Sequence, residues 1–189
     1  MLPDQVWQEA SVPNGFISRP ELGMLYWAAT QWPSAGPVVE LGSYEGRSSL
    51  LFARGGRHVH CVDAWGLYPR DESSHDEYPL AETFDLFSKH IQDAGVQDQI
   101  TVHRGKTTEV CTQWSTKAAI LLIDAGHSYE ETAADLAGWS PFLNDDGLLL
   151  VHDVLASRLI GVTAAVSDFM RSGWRVTAST GRLVALERT

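Results

Sequence analysis

The chain is short of positive charge. Fourteen Lys and Arg stand against 24 Asp and Glu in 189 residues, a formal charge of −10. Nucleic-acid backbones are bound through basic stripes, so the charge argues against that class of partner and favours a neutral or cationic small molecule. Cysteine is almost absent. Cys61 and Cys111 fall in strand-like and helix-like contexts and read as buried free thiols rather than a disulfide or a metal pair. No apolar run reaches the length of a membrane span. The start, MLPDQVWQEASV, has neither the basic residues nor the apolar run of a secretion signal, so a cytoplasmic protein with no membrane partner is expected. Repeats and low-complexity linkers are missing too. With 44% apolar residues, the expectation is one folded domain over 1–189 with a sizeable core.

What is present is an alternation of short apolar runs and helical patterns. Strands are expected at Val38–Leu41, His58–Val62, Ile100–Arg104, Ala119–Ile123, Leu148–His152, Arg175–Ala178 and Leu183–Glu187. The last two flank a hairpin turn at Ser179-Thr180-Gly181. Helices are expected from Ser18 to Gln31, with Ser18 and Glu21 as a capping box, and at Gly46–Ala53, Leu80–Ala94, Thr107–Gln113, Tyr129–Ala137 and Gly161–Arg171. Such an alternation predicts an α/β fold: a mostly parallel sheet with helices on both faces, and one antiparallel strand from the closing hairpin. Residues 1–34 read as an N-terminal helical cap. Its tryptophans Trp7, Trp27 and Trp32 hint at a homodimer or a helix packed over a site.

The densest signal is PVVELGSYEGRSSLLFA, Pro37 to Ala53. A short β-branched strand runs into a turn bracketed by Gly42 and Gly46 and then into a helix, with the hydroxyls of Ser48 and Ser49 in its first turn. Open α/β sheets bind nucleotide-like ligands at such a junction. Tyr44 stands where a dinucleotide fingerprint needs its second glycine, and Glu40 would repel phosphate. Gly105-Lys106-Thr107 resembles the end of a phosphate loop, but the required upstream glycine position holds Ile100. A phosphate-free nucleoside with a cationic tail fits better, and S-adenosylmethionine is one. Asp63, ending the second strand 23 positions after Glu40, suits ribose hydroxyls; the bland alternative is the start of a polar loop.

VVELGSYEGRSS, CVDAWG, LLIDAGHSYEETAADLAGWSPFL and GLLLVHDV resemble the successive motifs of class I S-adenosylmethionine-dependent methyltransferases. The likeness is strongest to a bacterial branch that includes macrocin-type sugar O-methyltransferases, and it runs from about Gly15 to the C-terminus. It implies a three-layer Rossmann-like sandwich with a seven-stranded sheet. It also implies a cofactor site in which Gly42, Ser43, Tyr44, Gly46 and Ser48 surround the methionine part and Glu40 holds its ammonium. Asp63, Ala64 and Trp65 would lie at the ribose and adenine, with Gly105, Lys106, Thr107, Asp124 and Ala125 along the other side. Ala64 to Pro79 is long for a strand-to-helix connection and reads as a lid or as an acidic surface loop.

In that sheet order the strands ending at Asp124 and at His152-Asp153 are neighbours, about 5 Å apart. Asp124, His152 and Asp153 would therefore converge beside the sulfonium. Relatives with a metal carry two acids where this chain has His152-Asp153, so a divalent ion, with Mg²⁺ favoured by oxygen ligands and Mn²⁺ or Zn²⁺ by the imidazole, is one reading. A metal-free general base, His127 or His152, is the other. The expected activity is O-methylation of a small-molecule acceptor, a natural product or sugar among the options. The rivals are a nucleotide-dependent oxidoreductase and a binding protein that kept the fold without the chemistry.

Overall fold

A computed structural model describes residues 2–67 and 82–189. Seven strands form one sheet in the order β3-β2-β1-β4-β5-β7-β6: β1 (Val38–Leu41), β2 (Val59–Asp63), β3 (Ile100–Arg104), β4 (Ala118–Ile123), β5 (Leu143–Val151), β6 (Trp174–Thr180) and β7 (Leu183–Arg188). The pairings from β3 through β5 are parallel, and β7 runs antiparallel to both β5 and β6. The helices are α1 (Asp4–Ala10), α2 (Arg19–Gln31), α3 (Arg47–Arg54), α4 (Thr83–Asp93), α5 (Thr107–Cys111), α6 (Tyr129–Trp139) and α7 (Ile160–Met170).

The central strands are buried on both faces, as parallel strands covered by helices must be. Alternate residues feed two cores. Val38, Val59, Cys61, Ile120, Leu122 and Leu150 face α2, α3 and α4, where Leu22, Leu25, Phe52 and Phe87 pack. Val39, Leu41, Val62, Leu121, Ile123 and Val151 face α6 and α7, against Leu136, Trp139, Val162 and Val166. Among the described residues no helix is long and apolar enough to cross a membrane.

Element placement follows the sequence reading closely, with three differences. Helix α1 has no counterpart in that reading; its Ala10 is buried, and Val6 and Trp7 pack against the first core. Strand β5 starts at Leu143 rather than Leu148, because it carries Asn144-Asp145-Asp146-Gly147 past a register shift against β4. Those residues look like a turn in the sequence, and their polar side chains are tolerated because the shift lifts them to the surface. The hairpin turn is also tighter than expected, with Thr180 still in β6 and Leu183 already in β7. Most of the lid reading falls on residues 68–79, outside the described residues, as does the expected helix start at 80–81. Both cysteines are free.

The N-terminal segment is strapped to the rest. The Arg47 guanidinium donates to the carbonyls of Pro13, Gly15 and Ile17, and Glu45 accepts from the backbone and side-chain nitrogens of Asn14. Of the three N-terminal tryptophans only Trp27 is exposed. Trp7 and Trp32 pack against the first core, and Trp32 Nε1 donates to the Asp146 carbonyl at 3.0 Å.

Candidate active site

The carboxyl ends of β1, β2, β4 and β5 gather the residues singled out by sequence. At the β1 end, Glu40 is fully buried and receives the hydroxyls of Ser43 (2.7 Å) and Ser49 on Oε2. Its Oε1 has no hydrogen-bond partner among the described residues. Burial pushes the Glu40 carboxyl up, against the opposing pull of the hydroxyls of Ser48, Ser49 and Ser43. A buried carboxylate oxygen with no partner invites a cation.

The turn that follows is held by Asp63. Its Oδ2 accepts the N–H groups of Ser43 and Tyr44, both at 2.9 Å, and Oδ1 accepts that of Trp65 at 2.8 Å. Tyr44 adopts φ 47°, a left-handed conformation that costs a non-glycine residue roughly 1 kcal/mol or more. The two bonds from Asp63 and the Trp65 Nε1 bond to the Tyr44 carbonyl (2.7 Å) offset that cost. Tyr44 in place of a glycine is thus accommodated by strain, and its ring lies 6.1 Å from that of Phe16. Asp63 is first a clamp on the turn, a job that sequence spacing did not reveal, and it retains some acceptor capacity on Oδ1.

Trp65, expected near the adenine, is only 2% exposed, and its indole packs on Phe84 and Phe87 in the first core. Thr107 also faces elsewhere: its hydroxyl donates to Asp135 Oδ1 on α6 at 2.5 Å. Gly105 and Lys106 stay at the β3 end, with the Gly105 N–H donating to the Asp63 carbonyl.

Asp135 itself is a buried acid. Burial, helped by the Glu131 charge and opposed by the Thr107 hydroxyl, lifts its pKa from 3.8 to about 6. The folded state therefore binds this proton more tightly than the unfolded chain, and stability falls as pH rises from about 4 to about 6. Asp135→Asn is expected to abolish that fall and to gain roughly 1–3 kcal/mol at neutral pH. Thermal melts of both proteins across that range check it, and parallel curves would refute it.

The ends of β4 and β5 bring Asp124, His152 and Asp153 together. His152 is 2% exposed. Its Nδ1 lies 3.1 Å from Asp124 Oδ1 and 3.6 Å from Asp153 Oδ2, while Nε2 faces Glu21 Oε1 at 3.5 Å. Burial pulls the imidazole pKa down, but charge and hydrogen bonding from Asp124 and Asp153 outweigh it and raise the value to about 10. The two carboxylates thus favour the imidazolium form of His152. Asp153 is buried at φ 60°, and Leu155 beyond it has φ 65°; backbone strain of this kind collects at functional sites. Asp153 Oδ2 meets His127 Nε2 at 3.1 Å, and Oδ1 pairs with Arg182 Nη1 at 2.6 Å. Burial alone would raise the Asp153 carboxyl, but its bonds to His127 and His152 hold it well below the usual carboxylate range.

Sequence reasoning missed two members of this cluster. Arg182 comes from the β6–β7 turn, and Glu21, expected only as a helix cap, comes from α2. Neither carries a local signal, because only the sheet order brings a hairpin turn and an N-terminal helix to the β5 end. His60 and His103, read as ordinary strand residues, instead place Nδ1 and Nε2 3.1 Å apart beside Trp114. They line a cavity of about 530 Å³ between β3 and α5 that reaches the β3 end at Gly105.

The family described as a methyltransferase domain matches residues 39–154, from β1 through the Asp124–Asp153 cluster. The chain belongs to that family. The class I methyltransferase reading of the motifs holds, and so does the seven-stranded fold it implied. This methyltransferase is similar in fold to the O-methyltransferase TomG of Streptomyces achromogenes, involved in tomaymycin synthesis and solved with S-adenosylmethionine. The two share 14% identity with a TM-score of 0.70, over 98% of this chain and 86% of that one. A Podospora anserina methyltransferase bound to S-adenosylhomocysteine gives 14% identity and a TM-score of 0.71 over 100% and 89%. A TDP-rhamnose 3'-O-methyltransferase of calicheamicin biosynthesis gives 15% and 0.62 over 99% and 87%.

Three ligand atoms from Asp124, His152 and Asp153 lie within 4.8 Å of one another, a set that could hold a metal ion. With an imidazole among two carboxylates, the set suits Mn²⁺ or Zn²⁺ better than Mg²⁺, which prefers oxygen.

Proposed function

We propose that this methyltransferase transfers the methyl group of S-adenosylmethionine to a hydroxyl oxygen of a small-molecule acceptor, with His127 taking the acceptor's proton. The observation that carries the reading is the His127–Asp153 pair at the carboxyl edge of the sheet, Nε2 to Oδ2 at 3.1 Å. Asp153 is ionised and only accepts, so it selects the tautomer that donates through Nε2 and leaves Nδ1 as the basic nitrogen. His127 is partly exposed, as a group meeting a substrate must be, whereas His152 is sealed.

The donor site is supported by Glu40 Oε1, the unpartnered buried oxygen at the β1 end. It suits the ammonium of an amino-acid moiety lying against the Gly42–Gly46 turn, with Ser43 and Ser48 beside it. Asp63 would use its remaining acceptor capacity on the ribose, with Ala64, Gly105, Lys106 and Ala125 bordering the adenine. S-Adenosylmethionine supplies a methyl group on a sulfonium that leaves as a neutral thioether. With the donor bound, the acceptor oxygen would take the methyl carbon as the carbon–sulfur bond gives its electron pair to sulfur, and His127 Nδ1 would receive the hydroxyl proton. Asp153 stabilises the imidazolium so formed. If an ion is held, Asp124, His152 and Asp153 hold it, and it would lower the pKa of the acceptor hydroxyl.

The chain's charge of −10 favours a neutral or cationic acceptor, and fold relatives named for a TDP-sugar and for tomaymycin synthesis support a sugar or natural-product hydroxyl as the acceptor group. Calorimetry with S-adenosylhomocysteine, followed by labelled-methyl transfer to a panel of sugar and phenol acceptors, tests the proposal. Binding in the micromolar range and label in an ether product are expected. No binding to the intact protein removes the donor assignment. Label that appears undiminished after chelation in metal-free buffer removes an essential ion.

A further inference from the structure

Glu21 does more than close a helix. As the fourth residue of the capping box it receives the Ser18 N–H on Oε2 at 2.6 Å. Capping glutamates are ordinarily solvated, but this one is 2% exposed. Its Oε1 points into the protein, where it accepts the Arg182 N–H at 2.7 Å and faces His152 Nε2 at 3.5 Å. No hydrogen-bond partner meets that nitrogen among the described residues. The β6–β7 turn is shaped to admit the carboxylate, since a Cβ on Gly181 would lie 2.5 Å from Glu21 Oε1. The same turn sends Arg182 to Asp153 Oδ1 and to the Phe16 carbonyl, at 2.6 and 3.0 Å.

We infer that Glu21 is a positioning residue of the methyl-transfer site, acting through His152 to fix which edge of the imidazole faces Asp124 and Asp153. The inference rests on the reading given under Proposed function. A half-turn of the ring about its Cβ–Cγ bond exchanges nitrogen for carbon at both edges. Only one orientation sets Nδ1 against Asp124 and Asp153 while setting Nε2 against Glu21. A carboxylate behind an imidazole fixes ring orientation in this way wherever the other nitrogen has work to do. Because Asp153 also orients His127, a loose His152 ring would loosen the base as well. The N-terminal helix thereby becomes part of the site, although it lies outside residues 39–154.

The test compares Glu21→Ala and Glu21→Gln with Ser18→Ala in the full chain. The imidazole ¹⁵N–¹H correlation of His152, assigned by its loss in His152→Asn, is expected as a slowly exchanging Nε2–H signal in the wild type. In Glu21→Ala that proton should exchange at least about tenfold faster, and turnover should fall by about tenfold or more with the S-adenosylhomocysteine affinity unchanged. Glu21→Gln, which keeps an acceptor oxygen and the fold, should fall between. Ser18→Ala should cost about 1 kcal/mol of stability and leave the His152 signal where it was. An unmoved His152 signal in both Glu21 variants, or the same change in Ser18→Ala, overturns the inference. Failure of the wild type to bind S-adenosylhomocysteine would instead strike at the donor reading and leave the ring measurement intact.

Discussion

Asp153→Asn is expected to lower turnover by about a thousandfold while leaving S-adenosylhomocysteine affinity nearly unchanged. General-base assistance contributes about 10²–10⁴ in rate, and Asp153 serves it twice, by choosing the His127 tautomer and by stabilising the imidazolium that forms. An asparagine amide can still bond to His127 but carries no charge and can present its donor face, which favours the wrong tautomer. The donor site at Glu40 and the glycine turn contains none of these atoms, so a kcat effect without a matching affinity effect separates catalysis from binding. Stability should change too, because Arg182 and His152 would lose the carboxylate that balances them. Removing one partner of a buried pair costs about 3–5 kcal/mol, and the partly exposed Arg182 places this case at or below the low end. The sign with pH is fixed by the depressed Asp153 carboxyl. Its contribution is fully present above the unfolded value of 3.8 and is lost progressively as pH falls from there to the depressed folded value, so the gap between the urea midpoints of wild type and variant should be widest at pH 7 and narrow steadily below about pH 4. Equal turnover in the two proteins would remove Asp153 from the mechanism.

The fold was legible because each strand announces itself. VVEL, AAILLI and LLLV are largely apolar runs too short for helices, and the spacing between them leaves room for one helix each. Boundaries went wrong where tertiary structure overrode local composition, as at Asn144–Gly147, which a register shift keeps inside β5. The site was half legible. Residues fixed by a motif at a strand end, such as Glu40, Asp63, Asp124 and Asp153, are where the spacing put them. Side-chain directions were not legible. Trp65 follows the expected acid closely, yet its indole turns inward to Phe84 and Phe87. Thr107 turns its hydroxyl to Asp135. His127 and His152 look equivalent in sequence, and only the fold reveals that His152 is sealed between carboxylates while His127 is partly exposed. Glu21 and Arg182 were illegible for a different reason: their partners are distant in sequence.

Gly42→Ala is expected to be the most destabilising of the single-methyl changes at the site, by about 3 kcal/mol or more. Two costs coincide there. The residue sits at φ +87°, where an L side chain is strained by about 1–2 kcal/mol. In addition, a Cβ would overlap the Asp124 carbonyl oxygen outright and lie 2.9 Å from Ala125 Cα. The glycine's first duty is therefore to let the β1–α3 turn touch the β4–α6 loop, and the cofactor cradle is built on that contact. Gly56→Ala separates the two costs, since Gly56 has φ +86° and nothing within 4 Å of the place a Cβ would take. It should lose only the conformational part, about 1–2 kcal/mol, and bind S-adenosylhomocysteine as the wild type does. Gly42→Ala must push the Asp124 loop away from β1, which moves the donor site and the carboxylate cluster together. Its affinity for S-adenosylhomocysteine and its turnover should therefore fall together, by about tenfold or more, in whatever fraction still folds. If both variants melt alike, the close approach of the two loops is not what the glycine is for, and the ligand-approach reading of the turn regains its place.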